Sequence, residues 1–204
     1  MSFYPMNPGL GQLLQTDVPG VTVDRAFPAH LVIPAASAVA ASTGGVMTAA
    51  APGTGAGLDV TTGLTNPAVP RNITATAGGT AGDIAAVQVT ITGTDYAGNV
   101  ISETLTAFTV DTAGTVTGAK CFKTVTRVQC PAMDGGGATV AIGWGVKFGL
   151  PNKLPANTVL LAALGGTREG TAPTVTVSST ALESNGFTLN SAPNGSQIDL
   201  YYLA

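Results

Sequence analysis

Residue types that carry catalysis are scarce in this chain. His30 is its single histidine, and it stands between Ala29 and Leu31 with no serine, cysteine or acidic motif beside it. A general base or nucleophile needs partner groups within hydrogen-bonding distance, and no such grouping is visible around this residue. We therefore predict a buried or interface histidine and no enzymatic activity.

The two cysteines, Cys121 and Cys130, are candidates for a disulfide or a metal site. Both fall near a predicted strand, in which nine residues span roughly 30 Å, and a disulfide cannot bridge that distance. One distant histidine does not complete any zinc-ligand spacing with them. The sequence predicts free thiols, no metal and no cofactor.

Acidic residues and glycine runs are better explained by turns than by chemistry. Three aspartates fall in turn sequences, namely Asp95, Asp111 and Asp134. Aspartate is favoured there because its side chain bonds the backbone. Three glycine runs, Gly78-Gly79, Gly135 to Gly137 and Gly165-Gly166, lack the strand-to-helix order and the Gly-Lys-Ser/Thr ending of phosphate-binding loops. We interpret them as tight turns.

Composition argues against nucleic acid and membrane as partners. Only 9% of residues are charged, the net charge is −3, and Lys plus Arg number 8, so there is no basic footprint for phosphate. The most apolar stretch, residues 30–51, is interrupted by Pro34 and Gly44-Gly45, which favours an extended or buried segment over a spanning helix. No basic residue precedes Arg25, so we expect no secretory leader and synthesis in the host cytoplasm.

Alternating apolar and polar residues predict β-strands over much of the chain. The clearest case is a hairpin over residues 87–108, in which Val87, Val89 and Ile91 alternate with polar residues before a turn at Asp95 and Gly98-Asn99. Further strands are predicted at residues 120–128, 138–148, 174–177, 187–189 and 198–203. Only residues 160–164 have a short helical character. These elements predict an all-β fold, an antiparallel β-sandwich or barrel-like domain.

The same alternation predicts which side of each strand faces the core. On the strand over residues 120–128, the side with Phe122 and Val128 is the better core candidate, opposite a side with Cys121 and Val125. Trp144 is predicted to pack in the core instead of forming a sugar platform. Tyr201 and Tyr202 are predicted on opposite faces of the last strand.

The chain divides into three predicted regions. Residues 1–66 form an extended N-terminal arm followed by an Ala/Gly/Thr-rich segment with turns at Gly44-Gly45 and Pro52-Gly53. Residues 67–155 form the main β domain. Residues 156–204 supply C-terminal strands packed on the same or an adjoining domain. The arm contains apolar side chains too numerous to stay solvated, and proline and glycine prevent a core of its own. We predict assembly contacts at Phe3, Tyr4, Met6, Leu10, Leu13 and Leu14.

Several segments resemble structural proteins of tailed bacteriophages. They are Val69 to Thr76, VTITGTDYAGNVISETLT, AKCFKTVTRV, GWGVKFGLPNKL and LGGTREGTAPTVTVSSTALESNGFTLNSAP, and the resemblance covers roughly residues 68–204. It implies a capsid decoration or cement protein, located in the virion, that bridges neighbouring subunits of the major capsid protein. It also implies a homo-oligomer, with a trimer favoured. The alternatives are a tail, collar or fibre module, or a carbohydrate-binding β module of a phage adhesin.

Overall fold

A computed structural model describes residues 28–204 and, by backbone alone, two short paired strands, β1 (Leu14–Gln15) and β2 (Thr22–Val23). All strand pairs are antiparallel. Helical residues within 28–204 are confined to two 3-10 turns, Ala81–Asp83 and Leu182–Ser184. The predicted all-β antiparallel class is therefore confirmed.

The central sheet has six strands built around the long strand β11. Its members are β4 (Ser42–Ala50), β6 (Arg71–Gly79), β9 (Gly114–Phe122), β11 (Ala138–Gly149), β14 (Thr174–Thr176) and β15 (Gly186–Thr188). The order is β14-β15-β11-β6-β9, and β4 also pairs with β11. The predicted strand over residues 138–148 is confirmed as β11, and its register with β6 shifts between Trp144 and Phe148.

A second sheet, here called the hairpin sheet, has four strands. They are β5 (Leu58–Val60), β7 (Thr90–Thr94), β8 (Val100–Thr104) and β10 (Thr124–Cys130), in the order β5-β10-β7-β8. Strands β7 and β8 form the predicted hairpin. Asp95 closes its turn by accepting a hydrogen bond from the Asn99 backbone at 2.9 Å, and Gly98 adopts a left-handed φ of 91°.

A third sheet, here called the terminal sheet, joins the two ends of the described chain. It contains β3 (Pro28–Ile33), β12 (Val159–Leu164), β13 (Thr167–Arg168) and β16 (Ile198–Leu203), in the order β13-β12-β16-β3. The predicted helical character of residues 160–164 is wrong. A run this short cannot sustain a helix alone, whereas pairing with β16 satisfies its backbone groups.

Two apolar clusters hold the sheets together. The larger lies between the central and hairpin sheets and includes Ile73, Ile142 and Val128. The smaller lies between the other end of the central sheet and the terminal sheet and includes Phe148 and Leu200. Strand β11 contributes to both, so one long strand links two sandwich-like layers.

The division into three regions at residues 66 and 155 stays a prediction.

The predicted strand over residues 120–128 is interrupted at Lys123. Strand β9 ends at Phe122 in the central sheet, and β10 begins at Thr124 in the hairpin sheet. Phe122 and Val128 are buried as predicted, but Cys121 and Val125 are buried as well. The single-face prediction fails because the chain changes sheets and because the register shifts between Val125 and Arg127.

Gly44-Gly45 lies inside β4 and forms no turn, which corrects the prediction. Gly45 is the position on which the Trp144 ring rests, because a Cβ there would come within 2.5 Å of that ring. Trp144 is half-buried against the larger cluster, and its Nε1 donates to the Ala40 carbonyl at 3.2 Å. The turn predicted at Pro52-Gly53 is present, with Gly53 at φ 69°.

The other glycine runs also differ in role. Gly165-Gly166 is a tight turn between β12 and β13, with φ values of 59° and 77°. Gly135 to Gly137 forms a loop that Asp83 ties down by accepting a hydrogen bond from the Gly137 N–H at 2.7 Å. Gly78-Gly79 ends strand β6 and is not a turn of its own, which corrects that prediction.

Candidate assembly face

The outward side of the terminal sheet combines apolar and charged side chains. Along β16, Ile198, Leu200 and Tyr202 point into the smaller cluster. Asp199 and Tyr201 alternate with them and point outward, and Tyr201 is 38% exposed. The prediction that Tyr201 and Tyr202 lie on opposite faces is confirmed.

Strand β3 places His30 and Val32 on the same outward side. His30 pairs across from Tyr201, and the two rings stack with centroids 4.2 Å apart and planes 6° apart. The Nε2 atom of His30 lies 2.8 Å from Oδ1 of Asp199. Within the described chain His30 is exposed, not buried, and it has an acidic neighbour that local sequence did not show. The ring is therefore held at the surface in a fixed orientation.

The carboxylate of Asp199 is held in place on this surface by hydrogen bonds from its neighbours. Gln197 Nε2 donates to both of its carboxylate oxygens, at 3.1 and 3.0 Å. These hydrogen bonds from Gln197, followed by the one from His30, lower the pKa of Asp199. A carboxylate with a lowered pKa is ionised at neutral pH, so the face presents a permanent negative charge here.

Strands β12 and β13 complete the face on the other side of β16. Leu161 pairs across from Tyr201, and Ala163 pairs with both Asp199 and Arg168. The register shifts between Val159 and Leu161, which leaves Leu160 58% exposed. A cavity of about 100 Å³ lies between β12 and residues 168–173.

We define the assembly face as the outward side of the terminal sheet. Its residues are His30, Val32, Leu160, Leu161, Arg168, Asp199 and Tyr201, and Ala163 of the same rows is buried at 9% exposure. Val32, Leu160 and Tyr201 are three large apolar side chains left in solvent on one sheet. In the described chain, β3 and β13 each pair with one neighbour, so both edges of the sheet are open. Exposed apolar side chains beside open edges are typical of protein-binding surfaces.

The hairpin sheet offers a contrasting outward side. Its short hydroxyl side chains bond one another across strands, with Oγ1 atoms 3.0 Å apart in Thr90 and Thr104 and 2.7 Å apart in Thr94 and Thr124. Arg127 pairs with Asp59 at 2.6 Å. The hydroxyl groups bond one another, the two charges form an ion pair, and all of these groups are well hydrated. This side therefore has the character of a solvated surface.

The predicted arm contacts fall where the structure gives no side chains. Phe3, Tyr4, Met6, Leu10 and Leu13 lie outside the described residues, and Leu14 is described only as backbone in β1. Their role in assembly stays a prediction.

Sequence reasoning missed His30, Val32, Leu160 and Asp199 as surface neighbours. The alternation in PAHLVI and IDLYYL marks two half-buried strands, but no signal in either shows that they pair.

Both cysteines are free, as predicted, and both are buried, which was not predicted. Burial raises the pKa of the Cys121 thiol to about 12 and that of Cys130 to about 11. A thiol reacts as its thiolate, so each is unreactive at neutral pH while the chain is folded.

No group of three or more metal-ligating side chains occurs within the described residues. The same part of the chain contains no helix of the length and hydropathy that a membrane span requires. Comparison with protein-family models, curated proteins and solved structures gave no match.

Proposed function

We propose that this chain is a structural protein of a tailed-bacteriophage virion, one that decorates the capsid and bridges neighbouring capsid subunits. The main support is the assembly face, whose exposed Val32, Leu160 and Tyr201 lie on a sheet whose two edge strands each pair with a single neighbour among residues 28–204. Strand β3 of that sheet follows directly after residues 1–27, where the predicted arm contacts lie. The arm is therefore joined in sequence to an edge strand of the assembly face.

The use of the titratable residues supports a structural role. Asp95 closes a hairpin, Asp83 fixes a glycine loop, and the Glu103 carboxylate accepts hydrogen bonds from the backbone N–H groups of Ala119 and Lys120. In each case the carboxylate holds the fold instead of facing a cleft. A stable fold with a binding surface is what a particle component requires.

The arm and the face supply binding energy in different ways. Each large apolar side chain that leaves water contributes on the order of 1.5 to 3 kcal/mol, so several arm residues could anchor the chain even after the cost of ordering them. The face is preformed and loses little conformational freedom on binding. We propose that the arm binds the major capsid protein and that the subunits form a trimer. The face then makes contacts between neighbouring copies on the capsid surface.

Occupancy on purified particles tests the proposal. Particles produced without the protein are incubated with the recombinant chain and pelleted, and bound protein is measured per particle. We expect saturable binding in many copies to the head, with strongly reduced occupancy after deletion of residues 1–24. Val32→Ser and Leu160→Ser together should also lower occupancy.

Val100 supplies the matched control, because it is 78% exposed but lies on the hairpin sheet. Val100→Ser should leave occupancy unchanged. Binding only at the tail or collar would favour the alternative location in the virion. Absence of particle binding together with binding on a glycan array would favour the adhesin module and contradict decoration.

A further inference from the structure

One row of the assembly face has opposite charges placed on either side of a small residue. Across the sheet, Val32 pairs with Asp199, Asp199 with Ala163, and Ala163 with Arg168. Neighbouring strands lie about 4.8 Å apart, so Asp199 and Arg168 flank Ala163 with backbones about 10 Å apart. The row therefore runs from a negative to a positive position across the centre strand β12.

These charges are not neutralised by each other within the chain. Among the described residues, Arg168 makes no ion pair, and the ion-pair partner of Asp199 is His30, a cation only when protonated. Arg168 is exposed, and Asp199 is held ionised by its hydrogen bonds. Arg168 is therefore open to a partner, while the Asp199 side chain is 16% exposed and keeps its charge beside Gln197 and His30.

We propose that the partner of the assembly face is the assembly face of a second copy of this chain. A two-fold axis running along β12 exchanges the two flanking positions. It places Arg168 of each copy opposite Asp199 of the other, so two ion pairs form from one symmetry operation. Leu161, which is partly exposed on β12, lies on the axis and meets its own counterpart, which gives the self-complementary contact that a two-fold interface requires.

The next row of the sheet supports the same placement. There Leu161 pairs with Tyr201 across the strands. The rotation brings the exposed Tyr201 of one copy over the far side of the partner's β12, which is the side that contains the cavity lined by Leu160, Arg168 and Glu169. The 38% exposed Tyr201 ring, stacked on His30, thus lies over the part of the partner's sheet that carries exposed Leu160.

Size sets the strength of this contact. Three six-residue strands about 20 Å long and the two-residue β13 offer roughly 300 Å² per copy, less than half of what a stable interface uses on each partner. The pairing in solution is therefore weak and depends on concentration. This inference rests on the proposed assembly function, because many copies on one particle would make a weak contact effective. A trimer uses a different, heterologous surface, so the two-fold contact links one trimer to the next.

Sedimentation velocity over a concentration series tests the two-fold contact. We expect the mass of the dilute species to double as concentration rises. Arg168→Glu and Asp199→Lys should each weaken the doubling at least about tenfold, because each variant opposes like charges across the axis. The double variant, D199K with R168E, should regain association to within about threefold of the parent, because the pairs re-form with reversed polarity.

Arg127→Glu is the matched control, since it reverses an exposed arginine on the hairpin sheet, and it should leave the doubling unchanged. Failure of the double variant to recover, while circular dichroism shows it folded, would overturn the contact. An unaltered doubling in folded R168E would overturn it too. A parent chain that never doubles but still decorates particles would contradict this inference alone, whereas doubling without particle binding would contradict the proposed function alone.

Discussion

At the scale of single residues, the buried side chain of Asn185 shows how irregular segments are held in place. Its Oδ1 accepts hydrogen bonds from the backbone N–H groups of Leu154 and Ser178, at 3.0 and 2.9 Å. Its Nδ2 donates to the carbonyls of Ser178 and Ala181 at 2.9 and 2.8 Å. One amide therefore ties together two loops that have no strand partners. Nothing in the local sequence distinguishes this asparagine from one in an ordinary turn.

Replacing Asn185 by alanine should lower the free energy of unfolding by about 2 to 4 kcal/mol, because several buried backbone groups lose their partners at once. Urea denaturation followed by fluorescence measures the change. Asn194→Ala is the control, since Asn194 makes a single exposed bond to the Ser196 backbone, and it should cost less than about 1 kcal/mol. Equal losses in the two variants would contradict the structural role of Asn185.

The buried thiols make stability depend on alkaline pH. Because the folded state raises the pKa of Cys121 to about 12 and of Cys130 to about 11, the folded chain keeps protons that the unfolded chain releases above about pH 9. Their stabilising contribution is complete below pH 9 and is lost as pH rises through the folded pKa values. We expect the parent to lose about 2 to 3 kcal/mol more than C121A/C130A between pH 7 and pH 10. Parallel pH profiles for the two proteins would contradict this.

At the scale of elements, the sequence predicts those strands in which large apolar and polar residues alternate, whether the partner is near in the chain, as for β7 and β8, or distant, as for β16 and β3. The hairpin of β7 and β8 is visible because alternation, an Asp turn and glycine all occur within one short window. Strand β4 was missed because its residues are small and include Gly44-Gly45, and its strand conformation is fixed by pairing with the distant β11. Residues 160–164 were assigned a helical character for a related reason, since only pairing with β16 determines their conformation.

The packing of Trp144 on β4 provides a test at this scale. Gly45→Ala should cost about 1 to 3 kcal/mol in unfolding free energy, because the added methyl group collides with the indole ring. Gly44→Ala changes the neighbouring residue of the same strand, where the nearest atoms are 3.8 Å from the new carbon, and it should be tolerated. Thermal unfolding of both variants gives the comparison. Similar melting temperatures for G44A and G45A would contradict this placement of the ring.

At the scale of the whole molecule, the assembly face forms from segments that lie far apart in sequence. His30 and Asp199 are 169 residues apart and meet because β3 and β16 pair. The class of fold could be predicted because it depends on periodicity, whereas this face depends on the order of strands in a sheet. The arm contacts were predicted from apolar content alone and stay a prediction.

Deleting residues 1–24 should leave the fold intact. The two apolar clusters are built from residues 29 to 202, so the urea midpoint of the truncated chain should match that of the full chain. A parallel loss of stability and of particle occupancy would show that the arm supports the fold, and would contradict a separate attachment role.

The proposal that this chain decorates a phage capsid is tested most directly by cryo-EM of virions produced by the genome that encodes it. We predict that density matching the three sheets of residues 28–204 repeats over the outer surface of the head, with assembly faces of neighbouring copies meeting across two-fold axes. Density for this fold only at the tail, or a particle that lacks the chain altogether, would contradict the account.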